Sequence, residues 1–193
     1  MSIVSKSINT LLEMFQHRGS PFVDDMKKIA IPEANAQSGN FNIVAGQLCL
    51  VYNLGNVKYS VESVKSEIFK LCDKYPDSKH FVVIMQQIVP NEKLLAVREY
   101  FANNKCSFEM FAIYELSCNI SKHFMVPKHE LISSEKDITK IIESEGVKSR
   151  HHFPHILITD PMARFIGAKL GNLVKVTRDS PSAGEHIIYR CVV

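Results

Sequence analysis

The last forty-three residues, His151 to Val193, constrain this chain more than any other stretch, because turn and cap signals in them leave little choice of local structure. Asp160 is a good N-cap, Pro161 suits the first helical position and Gly167 suits the residue just past the end, so residues 161–166 read as a very short helix. Leu173, Val174 and Val176, then Ile187, Ile188 and Tyr189, give two strands around an SPSAG loop, the pattern of a β-hairpin. Upstream, Ser134 and Asp137 have capping-box spacing, Ile138, Ile141 and Ile142 form an apolar stripe, and Gly146 ends the helix. Together these elements make an α+β domain over residues 119–193, entered through a polar link at Asn119 to Lys122.

Residues 1–118 read as a separate α/β domain. Ile3, Val4, Ile8, Leu11, Leu12 and Phe15 recur at helical spacing, with Gly19 as a C′ residue. The first twenty residues lack an unbroken apolar run and a small-residue cleavage site, so they read as a helix of the mature protein and not as a signal peptide. A second helix is expected over 22–30, stopped by Pro32. Residues 33–40 read as loop, Phe41 to Tyr52 as one or two strands, and Asn53 to Asn56 as a turn. Val61 to Tyr75 is expected to be helical, and Phe81 to Val89, apolar almost throughout, to be a strand covered on both faces. A helix over 90–102 and a strand over 107–116 complete the order, which suggests an α/β sandwich.

Charge and cysteines narrow the function classes. Residues 1–119 hold 12 Lys/Arg and 12 Asp/Glu, while residues 120–193 hold 11 and 8, so the whole +3 lies in the second part. That bias permits an acidic partner or nearby nucleic acid but is too weak for a protein that grips DNA alone. Cys49, Cys72, Cys106, Cys118 and Cys191 are odd in number and contain no CxxC pair, which suits reduced core thiols better than a disulfide or zinc framework. No apolar run approaches the roughly 18 residues of a membrane span.

Catalytic readings find little support. His151, His152 and His155 lack an adjacent Glu or Cys, and a metal site would need more ligands at recognisable spacing. Asp77-Ser78-Lys79 and Asp25-Met26-Lys27 fit the acidic-x-Lys pattern of a magnesium-dependent nuclease, but neither has an obvious second acid on a neighbouring strand. No GxSxG, P-loop or GxGxxG occurs, and neither Cys106 nor Cys118 carries a sign of activation. Arg164, Arg178 and Arg190, close to one another in a small hairpin domain, suit carboxylates on a partner, where the guanidinium fork pairs bidentately.

One resemblance gathers these residues. Val126-Pro127-Lys128-His129, then Thr159-Asp160-Pro161-Met162-Ala163-Arg164 and Gly167, then Lys169-x-Gly171, Val174-Lys175-Val176, Arg178, Ser182-Ala183-Gly184 and Tyr189-Arg190 resemble the C-terminal domain of the fifth common subunit of eukaryotic nuclear RNA polymerases, a domain that archaeal polymerases share. Residues 1–118 resemble that subunit's jaw domain more weakly, through Gln86-Gln87-Ile88-Val89-Pro90; the jaw is similar in fold to restriction-type nucleases. The resemblance implies a non-catalytic subunit without cofactor, metal or small-molecule substrate. The C-terminal assembly domain would dock on the largest subunit through Pro127, Lys128, His129, Asp160, Pro161, Arg164, Arg178, Tyr189 and Arg190. The jaw would stand beside downstream duplex DNA, with Gln87, Pro90 and Lys93 nearest to it. Asn91-Glu92 departs from the family's usual small residues there. The short, divergent jaw suggests a large DNA virus or a divergent eukaryote, so the location would be the nucleus, or host cytoplasm and virion. The alternative is a stand-alone DNA-binding or magnesium-dependent nuclease-like protein.

Overall fold

In the computed structural model the strand expected over 81–89 is β3 (His80–Met85), and every one of its residues is buried; Gln86 and Gln87 lie past its end, and residues 88–89 lie outside the described residues. The same holds for β2 (Leu48–Asn53), so both strands are covered on both faces. They pair in parallel, β3 pairs in parallel with β4 (Ser107–Ala112), and β1 (Asn40–Ala45) closes the order β1-β2-β3-β4 as the antiparallel partner of β2. The structure describes residues 2–29, 40–55, 66, 69–70, 73–87, 99–101, 103–180 and 184–193. They fall into two units, Met1–Cys118 and Asn119–Val193.

In the first unit, α1 (Ile3–His17) lies on the sheet face that carries Tyr52: Ser7 Oγ and the Tyr52 hydroxyl are 2.9 Å apart, and Val4, Ile8, Leu11, Met14 and Phe15 are buried along one stripe. Burial pushes the Tyr52 phenol up to about 12, a rise that the Ser7 hydrogen bond partly offsets. The opposite sheet face holds Cys49, Val51, Phe81, Val83, Met85 and Met110, packed with Phe101, whose ring lies 5.2 Å from that of Phe81. Helical residues at 66, 69–70, 73–74, 99–101 and 103 fall within or beside the two helices expected over 61–75 and 90–102; Tyr75, the last residue of the first, is not helical, and the other residues of those helices, and all but Asn40 of the loop expected over 33–40, lie outside the described residues.

Further boundaries differ from the sequence expectation, beginning with Asn40, which is expected in the loop and opens β1. Phe41–Tyr52 is two strands, turned at Gly46-Gln47, because Gly46 takes φ +56 as a hairpin's first turn residue requires; Asn53 ends β2 and does not begin a turn. The second helix shortens to α2 (Val23–Lys27), after which Lys28 and Ile29 donate to carbonyls three residues back, the tighter winding of a helix end. β4 stops at Ala112, not at 116. Its amide donates to Glu115 Oε2 at 2.9 Å and its carbonyl accepts from Glu115 N at 3.0 Å, which folds the chain into a turn.

The second unit has the sheet order β5-β7-β8-β6, with β5 (Lys128–Ile132), β7 (Leu173–Ser180), β8 (Gly184–Val192) and the two-residue β6 (His155–Ile156). β7 and β8 form the expected hairpin, but the ladder runs on to Ser180↔Gly184, beyond the apolar residues that signal it. Residues 181–183 of the loop lie outside the described residues. β5 has no counterpart among the sequence expectations, because Pro127-Lys128-His129-Glu130 carries little apolar signal; strand pairing with β7 makes it. α3 (Glu135–Ser144) covers one face, where Ile138, Phe153, Leu173 and Cys191 form the core. Ser134 occupies the N-cap without a side-chain capping bond, so the capping box does not close. α4 (Pro161–Phe165) is capped as expected: Asp160 Oδ1 accepts from Met162 N at 2.8 Å and Ala163 N at 3.3 Å.

Candidate functional site

Strand alternation decides which of the sequence-selected docking residues share a surface. Lys128 opposes Thr177 and Thr177 opposes Ile187, while His129 opposes Val176 and Val176 opposes Ile188. Opposed residues point to the same side and neighbours along a strand to opposite sides. His129, Arg178 and Arg190 therefore share one sheet face, and Lys128 and Tyr189 share the other. The nine residues do not form one patch on the sheet.

Several of them have structural work of their own. Tyr189 packs against the core under α3, its ring edge-on to Phe153 at 6.1 Å. Arg190 Nη1 donates to the His155 carbonyl at 3.0 Å, tying β8 to β6. His129 Nδ1 lies 2.7 Å from the Pro127 carbonyl, which fixes the entry into β5. Asp160 is spent on the α4 cap, while Pro161 beside it is exposed. Arg164 is half-buried, and Lys128 and Arg178 are exposed.

On the face of Lys128, charges alternate across two strands. Lys128 Nζ lies 2.9 Å from Glu130 Oε1, and Lys175 Nζ lies 3.6 Å from Glu130 Oε2. The hydrogen bond from Lys128 holds the Glu130 carboxyl below its ordinary value, and Glu130 raises the Lys128 ammonium. At the start of α3, Arg150 forks onto Glu135 at 3.1 and 2.5 Å and reaches the Gly171 carbonyl at 3.0 Å. This arrangement presents paired charge at a surface.

The candidate metal and nuclease groups are dispersed. His152 Nδ1 lies 2.8 Å from Ser149 Oγ, and His155 Nε2 lies 3.2 Å from the His151 carbonyl, so these imidazoles meet backbone and serine and do not converge. Lys27 pairs with Asp24 at 3.1 Å and Asp25 with Lys28 at 3.9 Å, not with each other. Among the described residues no three His, Cys, Asp or Glu side chains stand as a metal-holding group, and no helix is long and apolar enough to cross a membrane. Of the residues expected near DNA, Gln87 is exposed just past β3, beside Gln86, whose amide donates to the Leu54 carbonyl at 2.7 Å; Pro90 and Lys93 lie outside the described residues.

Two features have no local signal in the sequence. In the first unit, Arg18 at the end of α1 grips Glu109 of β4 through both nitrogens, at 2.7 and 2.9 Å, and His80 Nε2 lies 3.3 Å from the same carboxylate. The His80 ring also meets Ser107 Oγ and stacks on Phe22 at 5.3 Å. Burial would raise the Glu109 carboxyl; hydrogen bonds and charge from His80 and Arg18 outweigh it and bring it down to about 2. Ninety-one residues separate Arg18 from Glu109, so nothing nearby in the chain marks the pair. In the second unit, Phe124 and Met125 stand in solvent on a hydrogen-bonded turn.

Residues 118–192 match the family model described as RNA polymerase Rpb5, C-terminal domain. The chain is 32% identical over 136 residues to DNA-directed RNA polymerases I, II, and III subunit rpabc1 of Dictyostelium discoideum, covering 70% of this chain and 67% of that one. It is 45% identical over 74 residues to DNA-directed RNA polymerase subunit Rpo5 of Methanococcus vannielii, covering 38% of this chain and 92% of the archaeal one. It is 30% identical over 111 residues to DNA-directed RNA polymerases IV and V subunit 5B of Arabidopsis thaliana, covering 58% and 48%. The chain belongs to the Rpb5/Rpo5 family of DNA-directed RNA polymerase subunits.

Proposed function

We propose that this chain is a non-catalytic subunit of a multisubunit DNA-directed RNA polymerase, with other polymerase subunits as its partners. The observation that carries this reading is the archaeal relative: 74 matched residues make up 92% of a protein that is itself named a polymerase subunit. The paired charges on the surface of the second unit support it.

The finer reading assigns one task to each unit. Residues 119–193 dock on the largest subunit through the exposed and half-exposed members of the selected set: Pro127, Lys128, His129, Pro161, Arg164, Arg178 and Arg190. Tyr189 and Asp160 serve docking indirectly, by packing the sheet and capping α4. Residues 1–118 form part of the lower jaw around downstream DNA, with a sandwich resembling restriction-type nucleases, and Gln87, Pro90 and Lys93 lie nearest the duplex. Phosphodiester formation belongs to other chains. The location follows the polymerase: the nucleus for a cellular enzyme, host cytoplasm and virion for a viral one.

The test is an affinity pull-down of the tagged full chain from its native source at moderate salt, with mass spectrometry of what accompanies it. Two much larger polymerase chains and several small subunits in equal amounts are expected. Recovery of the chain alone, from an extract whose polymerase is demonstrably intact, would overturn the reading.

A further inference from the structure

The segment between Cys118 and β5 is tightly organised, yet it ends in the most exposed large apolar residues described in the second unit. Asn119 Oδ1 accepts from both the amide and the hydroxyl of Ser121, at 2.9 and 2.6 Å, and caps a one-turn 3-10 helix, Ile120–Lys122. His123 N donates to the Ile120 carbonyl at 3.1 Å, and Val126 N donates to the His123 carbonyl at 2.9 Å, closing a turn over 123–126. The Met125 amide donates to His123 Nδ1 at 3.2 Å, and the His123 ring stacks on Phe124 at 4.9 Å. Phe124 and Met125, the two central residues of that turn, are 89% and 71% exposed.

Single exposed apolar side chains are ordinary on a soluble surface, and Leu157, Leu170 and Ile187 are of that kind. An adjacent aromatic and methionine at the tip of a hydrogen-bonded turn differ. The hydrogen bonds of the segment are made by backbone and by Asn119 and His123; Phe124 adds its stack on the His123 ring, and most of the apolar surface of Phe124 and Met125 is left to solvent. Aromatic and methionine side chains are enriched where interfaces bury fully, and a preorganised turn loses little entropy when it inserts.

We infer that Phe124 and Met125 are the apolar anchor of the second unit, inserted into an apolar pocket on the larger polymerase chain that this unit docks on. The inference rests on the subunit reading and names a contact which that reading does not contain. The occupant follows from the archaeal relative: a protein almost wholly covered by a match the size of this domain must hold its place through this domain's surface. Phe124 and Met125 lie inside the matched residues, immediately before the Val126-Pro127-Lys128-His129 segment of the docking face. A second copy of this chain is the competing occupant.

The experiment expresses the tagged full chain in its native source as wild type, as Phe124→Ser/Met125→Ser and as Leu157→Ser, and measures incorporation into polymerase against the large subunits by mass spectrometry. Thermal unfolding of the free chains, which should not change, shows that each is folded. Incorporation is expected to fall roughly tenfold or more for the double variant, the loss typical of a removed interface anchor, and to persist for Leu157→Ser. A wild-type chain that incorporates together with a double variant that incorporates equally overturns the anchor and leaves the subunit reading standing; a wild type that never incorporates overturns the subunit reading itself. If the double variant unfolds, a photo-crosslinking residue at position 124 decides instead. Crosslinks to a larger polymerase chain support the anchor, and crosslinks only between copies of this chain overturn it.

Discussion

Arg18 and Arg150 each grip a glutamate with both arms of the guanidinium, one in each unit, and the two forks have different surroundings. Arg18 is 11% exposed and its partner Glu109 is 25% exposed, with His80, Phe15 and Phe22 packed around them. Arg150 is 30% exposed and Glu135 is 69% exposed, so water competes for every charge in that pair. The same geometry therefore does different work. In the first unit the fork pins α1 to a sheet strand. In the second it shapes a surface whose charges remain open to solvent.

The largest expected effect breaks the buried fork. Arg18→Ala leaves the Glu109 carboxylate in a mostly dry site with only His80 beside it, and should destabilise the first unit by about 3 kcal/mol. The matching change, Arg150→Ala, removes a solvent-screened pair and should shift stability far less. Hydrogen exchange read separately over the two sheets measures both, because each variant alters protection only in its own unit. Equal losses in the two units would erase the distinction between the forks.

Acid should separate the units next. The Glu109 carboxyl falls to about 2 in the folded chain from the ordinary 4.5, so the folded state binds its proton less readily than the unfolded state does. Its contribution is complete above the unfolded value and is lost as pH falls through the folded one. Between pH 4.5 and 2 the first unit should lose on the order of 3 kcal/mol. Far-ultraviolet circular dichroism with hydrogen exchange across that window would show β1–β4 loosening. The loss should be much reduced in Glu109→Gln, where there is no carboxylate to protonate.

How much of this is legible in the sequence differs in the same way. The second unit announces itself through local chemistry: Asp160-Pro161, Gly167 and the hairpin loop act within a few residues, and the motif string is continuous in sequence. β5 escapes because Lys128 to Glu130 is polar and becomes a strand only through its ladder with β7. The split of the docking set over two faces also depends on pairing, since Lys128 and His129 are neighbours in sequence yet opposite in the sheet. In the first unit the apolar runs mark β2 and β3, but Arg18, His80 and Glu109 meet only after α1 folds over the sheet, and no local spacing encodes that.

The smallest effect tests whether a local signal does local work only. Asp160→Ala removes the acceptor for Met162 N and Ala163 N, and loss of such a cap costs about 1 kcal/mol. α4 has only five residues, so it has no interior turns to absorb the loss, and Met162, Ala163 and Phe165 are the buried side chains it places. Asp160→Asn keeps a capping oxygen and should recover most of the stability. Polymerase incorporation separates the two roles that Asp160 carries. If the residue serves the docking face only by holding α4, incorporation in Asp160→Asn stays at the wild-type level. If incorporation falls in Asp160→Asn while stability does not, the carboxylate itself meets the partner alongside Pro161 and Arg164 of α4.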